Sequence, residues 1–139
     1  MEQASFAFGG SYTVFEFGGY RAALMICYDV EFAHHVKVLS DMGVTLVLVP
    51  TANPAGFEHV STAIVPSRAS EYVMTIAYAN FCGAENGLTF GGYSTIVGPD
   101  AKPLASANTT ETLLVTDIGK YHDPALLSTQ RTDHREVAT

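Results

Sequence analysis

Basic residues are scarce in this 139-residue chain: seven Lys and Arg stand against fourteen Asp and Glu, for a formal net charge of -7. They form no run that could track a phosphate backbone, so nucleic acid is a poor partner. Cysteine is equally scarce, with only Cys27 and Cys82. Two thiols are too few for a disulfide framework, and each must be explained by reactivity or by burial. No apolar stretch approaches the roughly 20 residues that cross a bilayer; the longest, near Val44 to Pro50, has the length of a strand. The acidic opening Met1-Glu2-Gln3-Ala4-Ser5 lacks the basic start and apolar stretch of a secretory signal. A cytoplasmic location with no membrane contact is the expectation.

What is present is material for a core. Hydrophobic residues make up 47% of the chain, enough for one ordinary domain or part of one. Gly18-Gly19 reads as a hairpin turn between alternating residues 12–17 and the nearly continuous apolar run 20–26, typical of a strand buried on both faces. Phe32, Val36, Leu39 and Met42 then recur at helical steps up to Gly43, and β-branched residues 44–49 form a second strand halted by Pro50. Strand, helix, strand implies a right-handed parallel crossover, hence an α/β fold. Residues 57–72 are helical again with a kink expected at Pro66, residues 73–79 form a third buried strand, and residues 81–92 look like a glycine-rich excursion. Residues 93–97, a Gly98-Pro99-Asp100 turn and residues 113–117 are expected to close the fold, and the polar tail from Lys120 has little pattern.

Cys27 ends the first buried strand and precedes a helix. There the first helical N–H groups lower a thiol's pKa and can hold a developing oxyanion. Spacing alone leaves simple packing open, because free cysteine is among the most buried residue types.

The motifs in order are more specific. Met25-Ile26-Cys27-Tyr28-Asp29-Val30-Glu31-Phe32, Ala52-Asn53 after Pro50, Arg68-Ala69-Ser70-Glu71, Asn80 with Gly83, Gly91-Gly92-Tyr93-Ser94 and Pro99-Asp100 follow one another along residues 6–117. Together they resemble the C-terminal half of the nitrilase superfamily of carbon–nitrogen hydrolases. The resemblance implies an αββα sandwich, here partial and lacking its N-terminal part, with residues 1–119 as domain and 120–139 as tail. It implies hydrolysis of a non-peptide carbon–nitrogen bond in a small amide or nitrile, paired subunits, and no metal or organic cofactor.

The catalytic set implied is a Glu base, a Lys and a Cys nucleophile working through a thioester. Cys27 matches the nucleophile, the backbone N–H of Tyr28 one oxyanion donor, and Ala52 and Asn53 the substrate-binding stretch. Glu and Lys have no counterpart: both precede the cysteine in the family, yet none of the 26 residues before Cys27 is lysine. Glu2, Phe6 and Gly9 resemble a stretch that follows the lysine motif. Ala33-His34-His35-Val36-Lys37 stands where relatives read Pro-Glu-x-x-Arg, which puts the usual subunit contacts in question. The expectation is a hydrolase missing two catalytic partners; the alternative is a non-catalytic module of the same fold that pairs with an intact subunit or binds a small ligand. A cysteine hydrolase using His59 as base ranks last. Arg68 and Glu71 read as a structural ion pair, Cys82 as a packed thiol, and Asn80 as either a backbone partner or a pocket residue.

Overall fold

A tight reversal opens the sheet. Gly18 and Gly19 take φ values of +57° and +84°, the left-handed pair of a two-residue turn whose twist suits a hairpin. They join β1 (Thr13–Phe17) to β2 (Tyr20–Leu24), which pair antiparallel with Phe17 opposite Tyr20. The computed structural model describes residues 9–119, 123–133 and 135. After β2 a 3-10 turn, Cys27–Glu31, leads into α1 (Ala33–Asp41), and the chain returns as β3 (Leu46–Thr51) parallel to β2. A second crossover passes through a π-helical turn, Val60–Ile64, into α2 (Val65–Tyr72) and returns as β4 (Thr75–Asn80) parallel to β3. β5 (Cys82–Glu85) and β6 (Leu88–Gly91) form a separate ribbon, and β7 (Thr95–Val97) and β8 (Pro103–Ser106) finish a six-stranded sheet of order β1-β2-β3-β4-β7-β8.

The two faces of this sheet differ. Val47, Val49, Ile76, Tyr78 and Val97 meet Val36 and Leu39 of α1 and Val65 and Ala69 of α2 in one buried cluster. Removing that apolar area from water is the main term holding helices to sheet. On the other face the register aligns Leu24, Leu48, Ala77, Ile96 and Ala105 in one lateral row. Leu24 is 39% exposed and the others are half-buried. One helical layer on one sheet is half of an αββα sandwich, in accord with the expected class.

Four local differences from the sequence expectation have physical causes. β3 runs through Pro50 instead of stopping there. The Leu48 carbonyl accepts from Met25 N–H and the Thr51 carbonyl from Phe81 N–H, so the nitrogen of Pro50 faces the β2 side, where β2 has ended and no donor is needed. Val73 does not start β4 but caps α2 at φ +53°, a costly conformation for a β-branched residue. Residues 81–92 hold a true hairpin turning at Asn86-Gly87, with Glu85 opposite Leu88. The antiparallel partner of β7 is β8, not residues 113–117. That segment has no regular secondary structure; Leu114, Thr116 and Ile118 are half-buried while Leu113 and Val115 are 88% and 82% exposed. Tyr20 OH ties it to the sheet by donating to the Ile118 carbonyl at 2.8 Å.

The expected kink at Pro66 appears as the π-helical turn directly before α2, where the ring relieves its clash with the preceding turn. Of the expected α1 stripe, Val36 and Leu39 are fully buried but Phe32 and Met42 are 44% and 40% exposed. In the tail, Lys120 and residues 121, 122, 134 and 136–139 lie outside the described residues. A 3-10 turn, Pro124–Leu126, and a short α3 (Gln130–Asp133) precede its end, and Arg131 donates to the Ser40 carbonyl at 3.3 Å. Among the described residues no helix is long and apolar enough to cross a membrane.

The turn between β7 and β8 is held by Asp100, whose side chain is only 3% exposed and lies 3.3 Å from Lys102 Nζ. Its Oδ1 accepts from Lys102 N–H at 3.2 Å. Burial works to raise this carboxyl, but the backbone and side-chain hydrogen bonds from Lys102 and its charge outweigh it and hold the group below the ordinary 3.8. A depressed native pKa stabilises the fold above that ordinary value and loses the contribution as pH falls through the lower native one. Asp100→Asn is therefore expected to lower the thermal midpoint at neutral pH and to leave it near the parent's once pH falls below the native pKa. Parallel melts across an acid series measure it.

Candidate active site

Because β2, β3 and β4 run parallel, their C-terminal ends open along one edge of the sheet, where open α/β sheets place their ligands. Cys27, Asn53 and Asn80 all stand there. Cys27 has φ +50°, a conformation that non-glycine residues hold only when the surroundings impose it. What imposes it is visible on both sides. Ahead of the thiol, the Asp29 carboxylate accepts from Ile26 N–H at 3.0 Å and Asp29 N–H donates back to the Ile26 carbonyl at 3.1 Å. Behind it, Arg68 of α2 donates to the Glu31 carbonyl at 2.9 Å while its other terminal nitrogen pairs with Glu71 at 3.1 Å. Arg68 is a buckle between α2 and the turn, the structural role its sequence context implies.

The half-buried thiol of Cys27 donates to Asn53 Oδ1 at 3.7 Å. Asn53 is itself held at two points by β4. Its backbone N–H donates to Asn80 Oδ1 at 2.8 Å, and its Nδ2 donates to Tyr78 OH at 2.9 Å. Asn80 in turn donates through Nδ2 to the Gly92 carbonyl at 2.8 Å, and its own N–H donates to Ser94 Oγ at 2.9 Å. Both readings of Asn80 hold: its amide satisfies backbone groups of two loops, and the residue also lines the neighbouring cleft. Burial raises the Tyr78 hydroxyl above its ordinary 10.0; the hydrogen bond from Asn53 opposes that shift, and the charges of Cys27 and Glu31 add to it. The phenol is thus neutral and within electrostatic reach of the thiol.

Of the expected site residues, Cys27 and Asn53 come together, whereas Ala52 is exposed and has no polar side-chain atom. The Tyr28 ring is 61% exposed and stacks edge-on against Phe32 at 4.7 Å, so only its backbone stands at the thiol. His59 is exposed beside Phe57, and His35 bonds Tyr12 OH at 2.7 Å. Lys37 is paired with Asp41 and Lys102 with Asp100. Cys82, half-buried, opens β5. Sequence reasoning missed Tyr78; the available signal was a tyrosine at a core position of an apolar strand, where a hydroxyl needs a partner. A cleft of about 370 Å³ lined by Asn80, Cys82, Ser94 and Asn108 lies beside the network, and Cys27 is not on its wall.

A thiol on strained backbone beside the ends of three parallel strands, on half of an αββα sandwich, is the arrangement of a nitrilase-type scaffold. The family model of carbon–nitrogen hydrolases matches residues 1–121, and the chain belongs to that family. An amidase from Nesterenkonia sp. AN1 superposes with a TM-score of 0.82 at 42% identity, over 86% of this chain and 47% of that one. An (R)-stereoselective amidase from Pseudomonas sp. is 30% identical over 84% of this chain and 43% of its own, and an omega-amidase from Bos taurus is 30% identical over 85% and 44%. The chain thus spans a little under half the length of these relatives. In structures of two mutants of the Nesterenkonia amidase, the active-site cysteine of one carries acrylamide by Michael addition and the other is in complex with butyramide.

The network rests on a close approach at Gly92, which has φ +68° and where an added Cβ would stand 2.7 Å from the Asn108 carbonyl oxygen and 2.9 Å from Thr109 Cα. Gly83 shares the left-handed backbone, at φ +83°, but nothing lies within 4 Å. Gly92→Ala is expected to lower unfolding free energy by about 1–3 kcal/mol, and by more than Gly83→Ala, which carries the backbone strain without the collision. Urea midpoints at unchanged slope distinguish the two.

Proposed function

We propose that this chain supplies the nucleophile half of a hydrolase for small amides. Cys27 attacks the amide carbonyl carbon, ammonia leaves, and water hydrolyses the thioester. The Tyr28 backbone N–H, first amide after the nucleophile, receives the developing oxyanion. The observation that carries this reading is the Cys27 thiol in the turn after β2, on backbone strained to φ +50° and hydrogen-bonded to Asn53. The amidase relatives support an amide as substrate class.

The general base and the lysine belong, in this reading, to residues outside those described. Lys37 and Lys102 are committed to Asp41 and Asp100, and Asp29 is committed to the Ile26 N–H. The 139-residue chain alone is accordingly weak or inactive, since losing members of a catalytic set costs several orders of magnitude. A second reading, a non-catalytic module that pairs with an intact subunit, is favoured by the open apolar row from Leu24 to Ala105.

Two measurements test this. Supplied with the complementary half of a family member, the chain is expected to release ammonia from small aliphatic amides, and Cys27→Ala to reduce the rate by about three orders of magnitude or more. Equal rates for parent and variant would refute the nucleophile assignment. Ammonia release by the chain alone, lost in Cys27→Ala, would place the base within these 139 residues. By size-exclusion chromatography the isolated chain is expected to elute as a dimer or larger species, because the bare sheet face seeks a partner; a clean monomer would count against the half-sandwich.

A further inference from the structure

We propose that Asn53 is the hydrogen-bonding partner of the Cys27 sulfur in both of its protonation states, and that Tyr78 is the positioning residue that lets it change roles. The inference rests on the reading of Cys27 as nucleophile, and it moves Asn53 from the substrate-binding role implied by its sequence position to the reacting atom itself.

A side-chain amide has an acceptor end and a donor end. Here Oδ1 accepts the thiol hydrogen at 3.7 Å and Nδ2 donates to the Tyr78 oxygen at 2.9 Å. The backbone of Asn53 is pinned by Asn80 at 2.8 Å, so only the terminal amide is left to turn. Once the thiol has given its proton to the base, a carbonyl oxygen facing the sulfur becomes repulsive. A half-turn of the amide corrects this: Nδ2 then donates to the thiolate, and Oδ1 accepts from Tyr78, whose hydroxyl donates instead of accepting. Asn53 and Tyr78 neither gain nor lose a proton. Tyr78 is 3% exposed, so protein partners and not bulk water must satisfy its hydroxyl. A phenylalanine there would leave one end of the amide unpaired in either state.

The neighbouring charges do not supply this function. On the turn, the Asp29 carboxylate is held by the Ile26 N–H, and Glu31, an anion, acts on Tyr78 in the same sense as the thiolate. From α2, Arg68 is committed to Glu71 and to the Glu31 carbonyl. On β2, Arg21 pairs with Glu16, and β3 carries no charged residue.

The test reads ionisation of the sulfur, not turnover. Alkylation of Cys27 by iodoacetamide is followed by mass spectrometry at about pH 7 and expressed as a fraction of its rate at about pH 10, where thiols are ionised. Asn53→Leu is expected to lower that fraction by about tenfold, because the thiolate loses a charge-assisted donor while the thiol loses only a weaker neutral bond. Tyr78→Phe is expected to give a smaller fall in the same direction, since the polarised chain from phenol to amide to thiolate is broken at its far end. Cys82, labelled in the same sample, reports whether the fold has opened; if Asn53→Leu raises its labelling, Asn53→Ala replaces it with the same fall expected. An unchanged or increased fraction in a variant whose Cys82 labelling matches the parent overturns the proposal. A fall without any ammonia release from amides when the complementary half of a family member is supplied would sink the hydrolase reading and leave this one standing.

Discussion

The parallel register of β2, β3 and β4 is the constraint on which everything else depends. Leu24 opposite Leu48, and Thr51 opposite Asn80, mean that three strands end along one edge. The loops leaving them therefore meet: the turn at Cys27, the loop at Asn53, and the crossing at Asn80. Hydrogen bonds among these residues span 26 to 27 positions in sequence, a closure that no local interaction could supply. Shift one strand by a single residue and the core side chains of that strand change faces while the site disperses.

The same register produces the two unequal faces. On one, α1 and α2 seal Val47, Val49, Ile76 and Tyr78 from water. On the other, a row of apolar side chains remains partly open, and Leu113 and Val115 project from a segment without ladder partners. The buried face sets the edge that holds the thiol, while the opposite face keeps its apolar row only half-covered.

Strain is localised where the chain can hold it. Cys27 at φ +50° is clamped by the Ile26–Asp29 pair and by Arg68. Val73 at φ +53° is another costly case, and it is held by Met74 N–H donating to the Ala69 carbonyl at 3.0 Å, which closes α2. In each case neighbouring hydrogen bonds offset a conformation that the residue alone would avoid.

The sequence by itself determined the elements whose signals are local: the Gly18-Gly19 reversal, the two strand–helix–strand crossovers, the interruption at Pro66, and Cys27 at the turn after the first crossover strand; the expected burial of that strand on both faces did not hold, since Arg21 and Leu24 are exposed. Its motifs also identified the family, because that resemblance is carried by side chains in fixed order. Other features were decided only by the tertiary structure. Pro50 sits inside β3 because the neighbouring strand has already ended. Val73 caps a helix because the chain must turn there, and residues 113–117 lack a strand partner because pairing needs a neighbour that sequence periodicity cannot supply. Tyr78, Asn53 and Asn80 converge on the thiol for the same reason. A hydrogen bond between residues far apart in the chain leaves no periodic trace in it, and it exists only once burial of the apolar face has brought the strand ends together.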